Sequence, residues 1–281
     1  APPGPGIHDL ADVELLPPVR RPGTFRDFYS FEAHVRRARE RRGLEVPPEW
    51  YRAPVFYFSN PDAIYGPGQD VPRPRSTRKL DCELEIGCII GRPGRDIPSE
   101  HARDYIAGFT LLNDWSARDL QAEEVKVGLG PSKGKDFATS LGPWLVTPDE
   151  LAPRRSGKGY DLVLEWRRNG RLLGAGNWNT VAWSFEEMIA HASRDAGLFP
   201  RDLLGSGTVG GGCGLEISHW PLGPCGGLDG VSEVIGVLVS AATTAIAMVP
   251  GTPDVPISTS TFSSSTSLRA LRVAADGSEA S

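Results

Sequence analysis

Two acidic segments of this sequence carry residues whose types and spacing could hold a divalent metal ion. They are residues 80–87 and residues 113–119. Successive side chains of a β-strand point to opposite faces, so Glu83 and Glu85 would project from one face together with Asp81. A buried row of carboxylates is unfavourable unless a cation or arginines offset the repulsion. Ligands that are all oxygen favour Mg²⁺, Mn²⁺ or Ca²⁺ over Zn²⁺, so the segments predict a site for a hard divalent cation.

The elements that must position these carboxylates are predicted to be mainly β-strands. Glycine (33) and proline (25) are frequent among the 281 residues, and this favours many short strands joined by tight turns. Apolar or alternating segments predict strands over residues 54–58, 80–90, 106–112 and 144–147. The dipeptide Asn169-Gly170 predicts a type I′ hairpin between residues 161–168 and 171–174.

Three helices are predicted beside these strands. A basic helix runs through residues 35–42 and is closed by Gly43, and its arginines are typical of a solvated helix face. A second helix begins near Ser116, whose hydroxyl suits the N-cap, and a third covers residues 184–196. The predicted fold class is therefore a β-rich α+β fold. We expect an N-terminal extension (1–24), one main domain (25–255) and a flexible Ser/Thr-rich tail (256–281).

The composition excludes several classes of function. A net charge of −5 and a pI near 5.6 argue against an electrostatically driven nucleic-acid partner. The four cysteines show no CxxC pairing and are interpreted as free thiols in a reducing compartment. No leader-like start and no bilayer-length apolar segment is evident, which favours a cytoplasmic protein without a membrane partner. The glycine-rich residues 205–212 lack the Lys-Ser/Thr ending of a P-loop, so a phosphate site is not predicted there.

The chain resembles the fumarylacetoacetate hydrolase family over roughly residues 25–250. Residues 80–85, 112–121 and 134–139 match the family in residue type, order and spacing, and residues 202–208 add a fourth matching segment. The resemblance implies a family-type mixed β-sandwich or roll with a few peripheral helices. It also implies a homodimer.

The resemblance assigns a metal site to four acidic residues. Glu83, Glu85 and Asp114 would hold Mg²⁺, with Mn²⁺ or Ca²⁺ as alternatives, and Asp27 matches a fourth carboxylate ligand of the hydrolases proper.

A catalytic dyad is implied in the same way. His34 falls where the family places its general base, and Glu216 matches the glutamate that orients this histidine. Other small members use a His-x-x-Glu pair, but the third residue after His34 is Arg37. This departure favours the pairing of His34 with Glu216.

The remaining implied site residues contact the substrate. Arg118, Gln121 and Lys135 correspond to the polar residues that surround the reacting oxygen in the hydrolases. Tyr29 and Tyr57 match tyrosines of the substrate pocket, and Thr139, at the end of the third matching segment, is assigned to substrate binding.

Two substrate-binding positions of the family do not carry over. Gly43 replaces an arginine and Val125 replaces a tyrosine of the fumarylacetoacetate enzyme. The expected substrate is therefore a related β-diketo acid rather than fumarylacetoacetate itself.

The function predicted from the resemblance is that of a divalent-metal-dependent hydrolase, cleaving a C–C bond in a β-diketo acid such as an acylpyruvate through a His-activated water. A 2-oxo acid decarboxylase, hydratase or isomerase of aromatic catabolism remains open on the same scaffold. A non-catalytic metal-dependent binding protein is a further alternative.

Overall fold

The computed structural model describes residues 13–168, 170–217, 234–240 and 244–247, the last two ranges as backbone. Short strands dominate. In chain order they are β1 (Phe25–Phe28), β2 (Phe56–Phe58), β3 (Ile64–Tyr65), β4 (Leu80–Asp81), β5 (Leu84–Ile90), β6 (Gly94–Arg95), β7 (Ile106–Asp114), β8 (Ser116–Ala117), β9 (Thr139–Leu141), β10 (Arg155–Ser156), β11 (Gly159–Tyr160), β12 (Val163–Arg168), β13 (Arg171–Asn177), β14 (Gly197–Leu198), β15 (Leu203–Gly205), β16 (Val234–Ser240) and β17 (Thr244–Ala247).

Two sheets enclose the main core. The larger has the order β2-β1-β15-β5-β7-β9-β3, and the smaller has the order β13-β12-β16-β17. The pairs β1–β15 and β3–β9 are parallel, and the other ladders of these two sheets are antiparallel. Ile86 and Phe109 from the larger sheet belong to one apolar cluster with Leu164 and Trp166 from the smaller. The predicted strand-rich α+β fold is confirmed.

The helices are peripheral: α1 (Glu32–Glu40), α2 (Arg118–Glu124), α3 (Pro148–Leu151) and α4 (Phe185–Ser193). In α1, Val35 and Ala38 are buried while Arg36 faces solvent. The prediction of α4 is confirmed, and its start is a capping box. Ser184 Oγ accepts the Glu187 N–H at 3.2 Å, and the Glu187 carboxylate accepts the Ser184 N–H at 2.7 Å.

The structure corrects three predicted elements. Ser116 does not cap α2, because it lies in β8 opposite Asp81 and its hydroxyl donates to the Asp114 carbonyl. Residues 144–147 are not a strand. They form a single bridge from Val146 to Phe109, because the prolines at both ends leave too short a segment for a ladder. The predicted strand over residues 80–90 is interrupted at Cys82 and Glu83, where Glu83 bridges Cys213 instead.

The hairpin prediction is confirmed, since β12 and β13 pair from Val163–Asn177 to Arg168–Arg171. Cys82, Cys88 and Cys213 are free and buried, as expected. Residues 1–12 of the predicted extension and residues 248–281, which contain the predicted tail, lie outside the described residues. Of the described helices, none is long and apolar enough to cross a bilayer.

Candidate active site

Three carboxylates from separate interior strands of the larger sheet lie close together. Asp27 lies in β1, Glu85 in β5 and Asp114 at the end of β7. One ligand oxygen from each lies within 4.8 Å of the others, and each residue is at most 1% exposed. Strand β15 runs between β1 and β5, with Gly205 opposite Asp27. A Cβ at Gly205 would collide with the Asp27 carboxylate and approach Glu85 Oε2 to 3.1 Å, so the glycine allows the carboxylates to converge.

This cluster carries more negative charge than its surroundings neutralise. Burial, followed by the Asp114 charge, raises the pKa of Asp27 to about 8. Burial and the charge of Asp27 raise the pKa of Glu85 well above its usual value. Burial also raises the pKa of Asp114 to about 6, although Lys135 opposes the shift. No N–H or O–H group of the described residues reaches Asp27 Oδ1 or Asp114 Oδ1. Orphaned carboxylate oxygens in a buried acidic cluster fit a hard divalent cation.

Glu83 belongs to a neighbouring network rather than to this group of three. Its carboxylate binds Lys135 Nζ at 2.6 Å and Arg118 at 2.7 Å. Burial alone would raise the pKa of Glu83, but the charges of Arg118 and Lys135 outweigh it and lower the pKa. Lys135 Nζ also binds Asp114, so one ammonium group joins the two sets. Asp81 is bound by Arg118 and by the backbone N–H groups of residues 214 and 215, away from the cluster.

The predicted dyad is assembled in the structure. His34 lies in the first turn of α1, and its Nδ1 is 2.6 Å from Glu216 Oε1. The second carboxylate oxygen of Glu216 accepts the Gly211 N–H at 2.7 Å and a hydrogen bond from Arg37 at 3.2 Å. Burial alone would raise the pKa of Glu216, but the His34 contact and these donors lower it. Nε2 of His34 lies 4.0 Å from Glu83 Oε1, so this nitrogen faces the acidic side of the cavity.

A cavity of about 590 Å³ joins the carboxylates to the dyad. Tyr57 donates to Asp114 Oδ2 at 2.8 Å, and the Tyr29 ring meets the His34 ring edge-on. Other predicted residues that line the cavity are Asp27, Glu83, Glu85, Asp114, Arg118, Gln121 and Lys135. Thr139 does not line it: the residue is buried in β9, paired with Asp114. Glu216 does not line it either, and its carboxylate contacts Nδ1 of His34.

Sequence reasoning missed two contributions to the site. The glycine-rich loop after β15 binds the acidic groups through its backbone, because Gly207 N–H donates to Glu85 at 3.0 Å and Gly211 N–H donates to Glu216. Its overlap with the fourth matching segment, which includes Gly207, was the available signal. Arg41 and Arg42, interpreted as part of a solvated face, are exposed as expected, but they also line the cavity. Within a run of arginines, residue type alone does not indicate which side chains border a cavity.

Comparison with known proteins agrees with this geometry. The family model for the fumarylacetoacetate (FAA) hydrolase C-terminal domain matches residues 23–241. A fumarylacetoacetase of Arabidopsis thaliana is 32% identical over 262 residues, covering 75% of this chain and 62% of that protein. An uncharacterized protein of Pyrococcus abyssi is 36% identical over 180 residues, covering 63% of this chain and 75% of that protein. The chain thus spans about 60% of the length of the plant fumarylacetoacetases that it matches.

Solved structures share the fold. Fumarylacetoacetate hydrolase from psychrophilic Exiguobacterium antarcticum matches with a TM-score of 0.63 at 24% identity, covering 85% of this chain and 78% of that one. A 2-hydroxyhepta-2,4-diene-1,7-dioate isomerase from Mycobacterium marinum matches with a TM-score of 0.60 at 25% identity, covering 85% and 77%. The predicted family-type fold is confirmed, while the roles of the individual site residues remain predictions.

Proposed function

This chain belongs to the fumarylacetoacetate hydrolase family, and we propose that it is a divalent-metal-dependent hydrolase that cleaves a C–C bond of a β-diketo acid of the acylpyruvate type. The observation that carries the proposal is the 2.6 Å hydrogen bond between His34 Nδ1 and Glu216. The second ring nitrogen of His34, Nε2, is turned toward the cavity that contains the carboxylates. This geometry supports the assignment of His34 as a general base beside a metal site.

Asp27, Glu85 and Asp114 would hold the metal, and their orphaned oxygens support this assignment. Mg²⁺ fits the oxygen-only donor set, and Mn²⁺ and Ca²⁺ fit it as well. When bound, such an ion supplies Lewis acidity at the substrate oxygens and orients the dicarbonyl group. Glu83 would join the ligands only if it exchanged its contacts with Arg118 and Lys135.

The dyad would activate the water. With Nδ1–H donating to Glu216, Nε2 of His34 is free to accept a proton from a water in the cavity. Glu216 then stabilises the imidazolium that forms, and its low pKa keeps it ionised for this role. The resulting hydroxide attacks a carbonyl carbon, the C–C bond breaks, and the proton on His34 becomes available to the leaving carbanion.

Arg118, Gln121 and Lys135 would donate to the substrate oxygen on which charge develops. Lys135 uses two of its three N–H groups for Glu83 and Asp114, which leaves the third for substrate. Gln121 Oε1 accepts from Arg118 at 3.1 Å, an arrangement that directs the amide nitrogen of Gln121 away from Arg118. Loss of a well-placed donor of this kind costs about 3 kcal/mol of transition-state stabilisation.

The cavity also supports a choice of substrate. Its wall away from the carboxylates includes Val55, Phe56 and Val125, and its rim carries Arg41 and Arg42. Among the described residues, Arg41 donates a hydrogen bond to the backbone carbonyl of Ile217 and Arg42 donates one to that of Ala38, rather than to carboxylates. We expect a substrate with an apolar middle and a distal anionic group.

The similarity to a diene-dioate isomerase favours isomerisation as the second candidate function. An isomerase forms the same enolate but incorporates no water into product. The experiment is therefore turnover of acylpyruvates and of 2-oxo acids such as oxaloacetate in oxygen-18 water, with EDTA and Mg²⁺ add-back. His34→Ala is compared with His101→Ala, which changes an exposed histidine outside the cavity lining.

The hydrolase proposal expects metal-restored cleavage with oxygen-18 in the carboxylate product, lost in His34→Ala and retained in His101→Ala. Isomerised product without label, or decarboxylation that survives His34→Ala, would replace it with the second candidate or with a decarboxylase. Metal-dependent binding without any turnover would favour a binding protein. The proposal includes a cytoplasmic homodimer, and light scattering of the purified chain checks the dimer.

A further inference from the structure

A second set of metal-binding groups lies directly behind the catalytic imidazole. It consists of His34 Nδ1, Cys213 Sγ and the Glu216 carboxylate. Cys213 Sγ lies 3.8 Å from His34 Nδ1 and 3.7 Å from Glu216 Oε1. Cys213 is fully buried, and its backbone bridges Glu83. The hydrolytic chemistry above uses His34 and Glu216 but gives the thiol no role.

The spacing of these donors is close to that of a tetrahedral zinc site. Ordinary Zn–S, Zn–N and Zn–O bond lengths place sulfur about 3.5 Å from a nitrogen or oxygen ligand, and place nitrogen about 3.3 Å from oxygen. Both sulfur distances exceed this separation by only about 0.2–0.3 Å. The 2.6 Å His34–Glu216 distance is that of a hydrogen bond, and it would open by about 0.7 Å on metal binding.

We propose that His34, Cys213 and Glu216 form an inhibitory site for thiophilic divalent ions such as Zn²⁺ and Cd²⁺, distinct from the carboxylate site. Sulfur and imidazole donors select these ions, whereas the oxygen-only cluster selects Mg²⁺. The inhibition rests on the proposed function, but the binding does not. Arg37, which covers Glu216, has a side chain that is 56% exposed, so its displacement opens a route to the site.

Occupancy of this site would remove the general base. The Cys213 thiol releases its proton to solvent and binds as thiolate, and Nδ1 of His34 donates its lone pair to the metal. The single ring proton must then reside on Nε2, the nitrogen that faces the cavity. An imidazole protonated at Nε2 cannot accept a proton from water, and Glu216 is no longer available to stabilise an imidazolium.

The first experiment measures binding without turnover. Cd²⁺ is titrated into the full chain in excess Mg²⁺, and the ultraviolet cadmium–thiolate charge-transfer band is recorded for wild type, Cys213→Ala and Cys88→Ala. Cys88 is an equally buried thiol within β5 and serves as the matched control. Cys213→Ser tests the same loss of sulfur with less change in packing, and circular dichroism verifies that each variant is folded.

We expect one saturable equivalent of the band in wild type and Cys88→Ala, and its loss in both Cys213 variants. Zn²⁺ should inhibit turnover in excess Mg²⁺, and Cys213→Ser should raise the half-inhibitory concentration by more than about tenfold, a change that even second-shell partners of a metal can produce. A band that persists without Cys213 overturns the site. If added Mg²⁺ relieves zinc inhibition equally in wild type and Cys213→Ser, the inhibition is due to zinc binding at the carboxylates. A charge-transfer band without zinc inhibition would refute the inhibitory role but not the metal site.

Discussion

The crowding of carboxylates around Asp27 predicts that the metal-free protein loses stability as the pH rises. The pKa of Asp27 is about 8 in the folded protein, against 3.8 for an unperturbed aspartate. Between these two pKa values the folded state keeps a proton on Asp27 that the unfolded state has released. The contribution of this proton to the free energy of unfolding is therefore fully present below the unfolded pKa of 3.8 and is lost as the pH rises to the folded pKa of about 8. Each pH unit removes about 1.4 kcal/mol, which amounts to about 2.7 kcal/mol between about pH 5 and pH 7.

Asp27→Asn removes this titration, because the amide is neutral at every pH. Urea unfolding in EDTA, followed by tryptophan fluorescence, should show the wild-type free energy of unfolding falling relative to that of Asp27→Asn by about 2.7 kcal/mol over this pH interval. Asp70→Asn changes an exposed carboxylate and should keep the wild-type slope. Saturating Mg²⁺ should remove the slope from wild type, because the cation replaces the proton that Asp27 holds.

Two results would refute this reasoning. One is an equal pH slope in wild type and Asp27→Asn, which would mean that Asp27 is not held near its neutral form. The other is an Asp27→Asn protein less stable than wild type at neutral pH in EDTA, which would mean that the Asp27 charge is compensated in the folded protein.

Four further changes test other parts of the site. Glu216→Gln should lower kcat by about 10²–10⁴-fold with little change in KM, because it disturbs the base and not substrate binding; a change confined to KM would contradict this. Lys135→Met leaves Glu83 and Asp114 without their shared ammonium and should destabilise the protein by about 3–5 kcal/mol in urea unfolding, whereas an unchanged midpoint would show the cation to be dispensable. Gly205→Ala should weaken Mg²⁺ binding in calorimetry, since its Cβ collides with Asp27, and wild-type affinity would argue that the carboxylates do not need to converge there. Arg42→Gln should raise KM for substrates with a distal carboxylate and leave methyl-ketone analogues unaffected, so an equal effect on both would exclude a charge contact.

Local pattern was sufficient for much of the scaffold. The alternation from Glu83 into β5 placed Glu83 and Glu85 on the cavity side while Leu84 and Ile86 entered the core. Alternation could not reveal the break between β4 and β5, because that break depends on Cys213, which is 130 residues further along the chain than Glu83 and forms a bridge with it. The grouping of Asp81 with the two glutamates failed for the same reason, since backbone N–H groups near Cys213 bind it.

The pairing of His34 with Glu216, inferred from a departure at Arg37, is present in the structure. Arg37 contributes to it by donating to the same glutamate. The division of the acidic residues into a three-carboxylate cluster and a Glu83–Lys135–Arg118 network was not predictable, because residue type and strand phase are alike on both sides of that division. What separates them is the packing of β8 and α2, which brings Arg118 beside Glu83.

Because β15 lies between β1 and β5, the carboxylate site can form only late in folding. Asp27 belongs to the first described strand, yet β1 reaches Glu85 only through Leu203–Gly205, more than 170 residues later. Closing so long a loop is a slow step in folding. A nascent chain that ends before Leu203 would carry all four predicted acidic ligands without the strand that seats Asp27 beside Glu85. Metal binding should therefore occur only when the fold is complete and not at an early stage of folding.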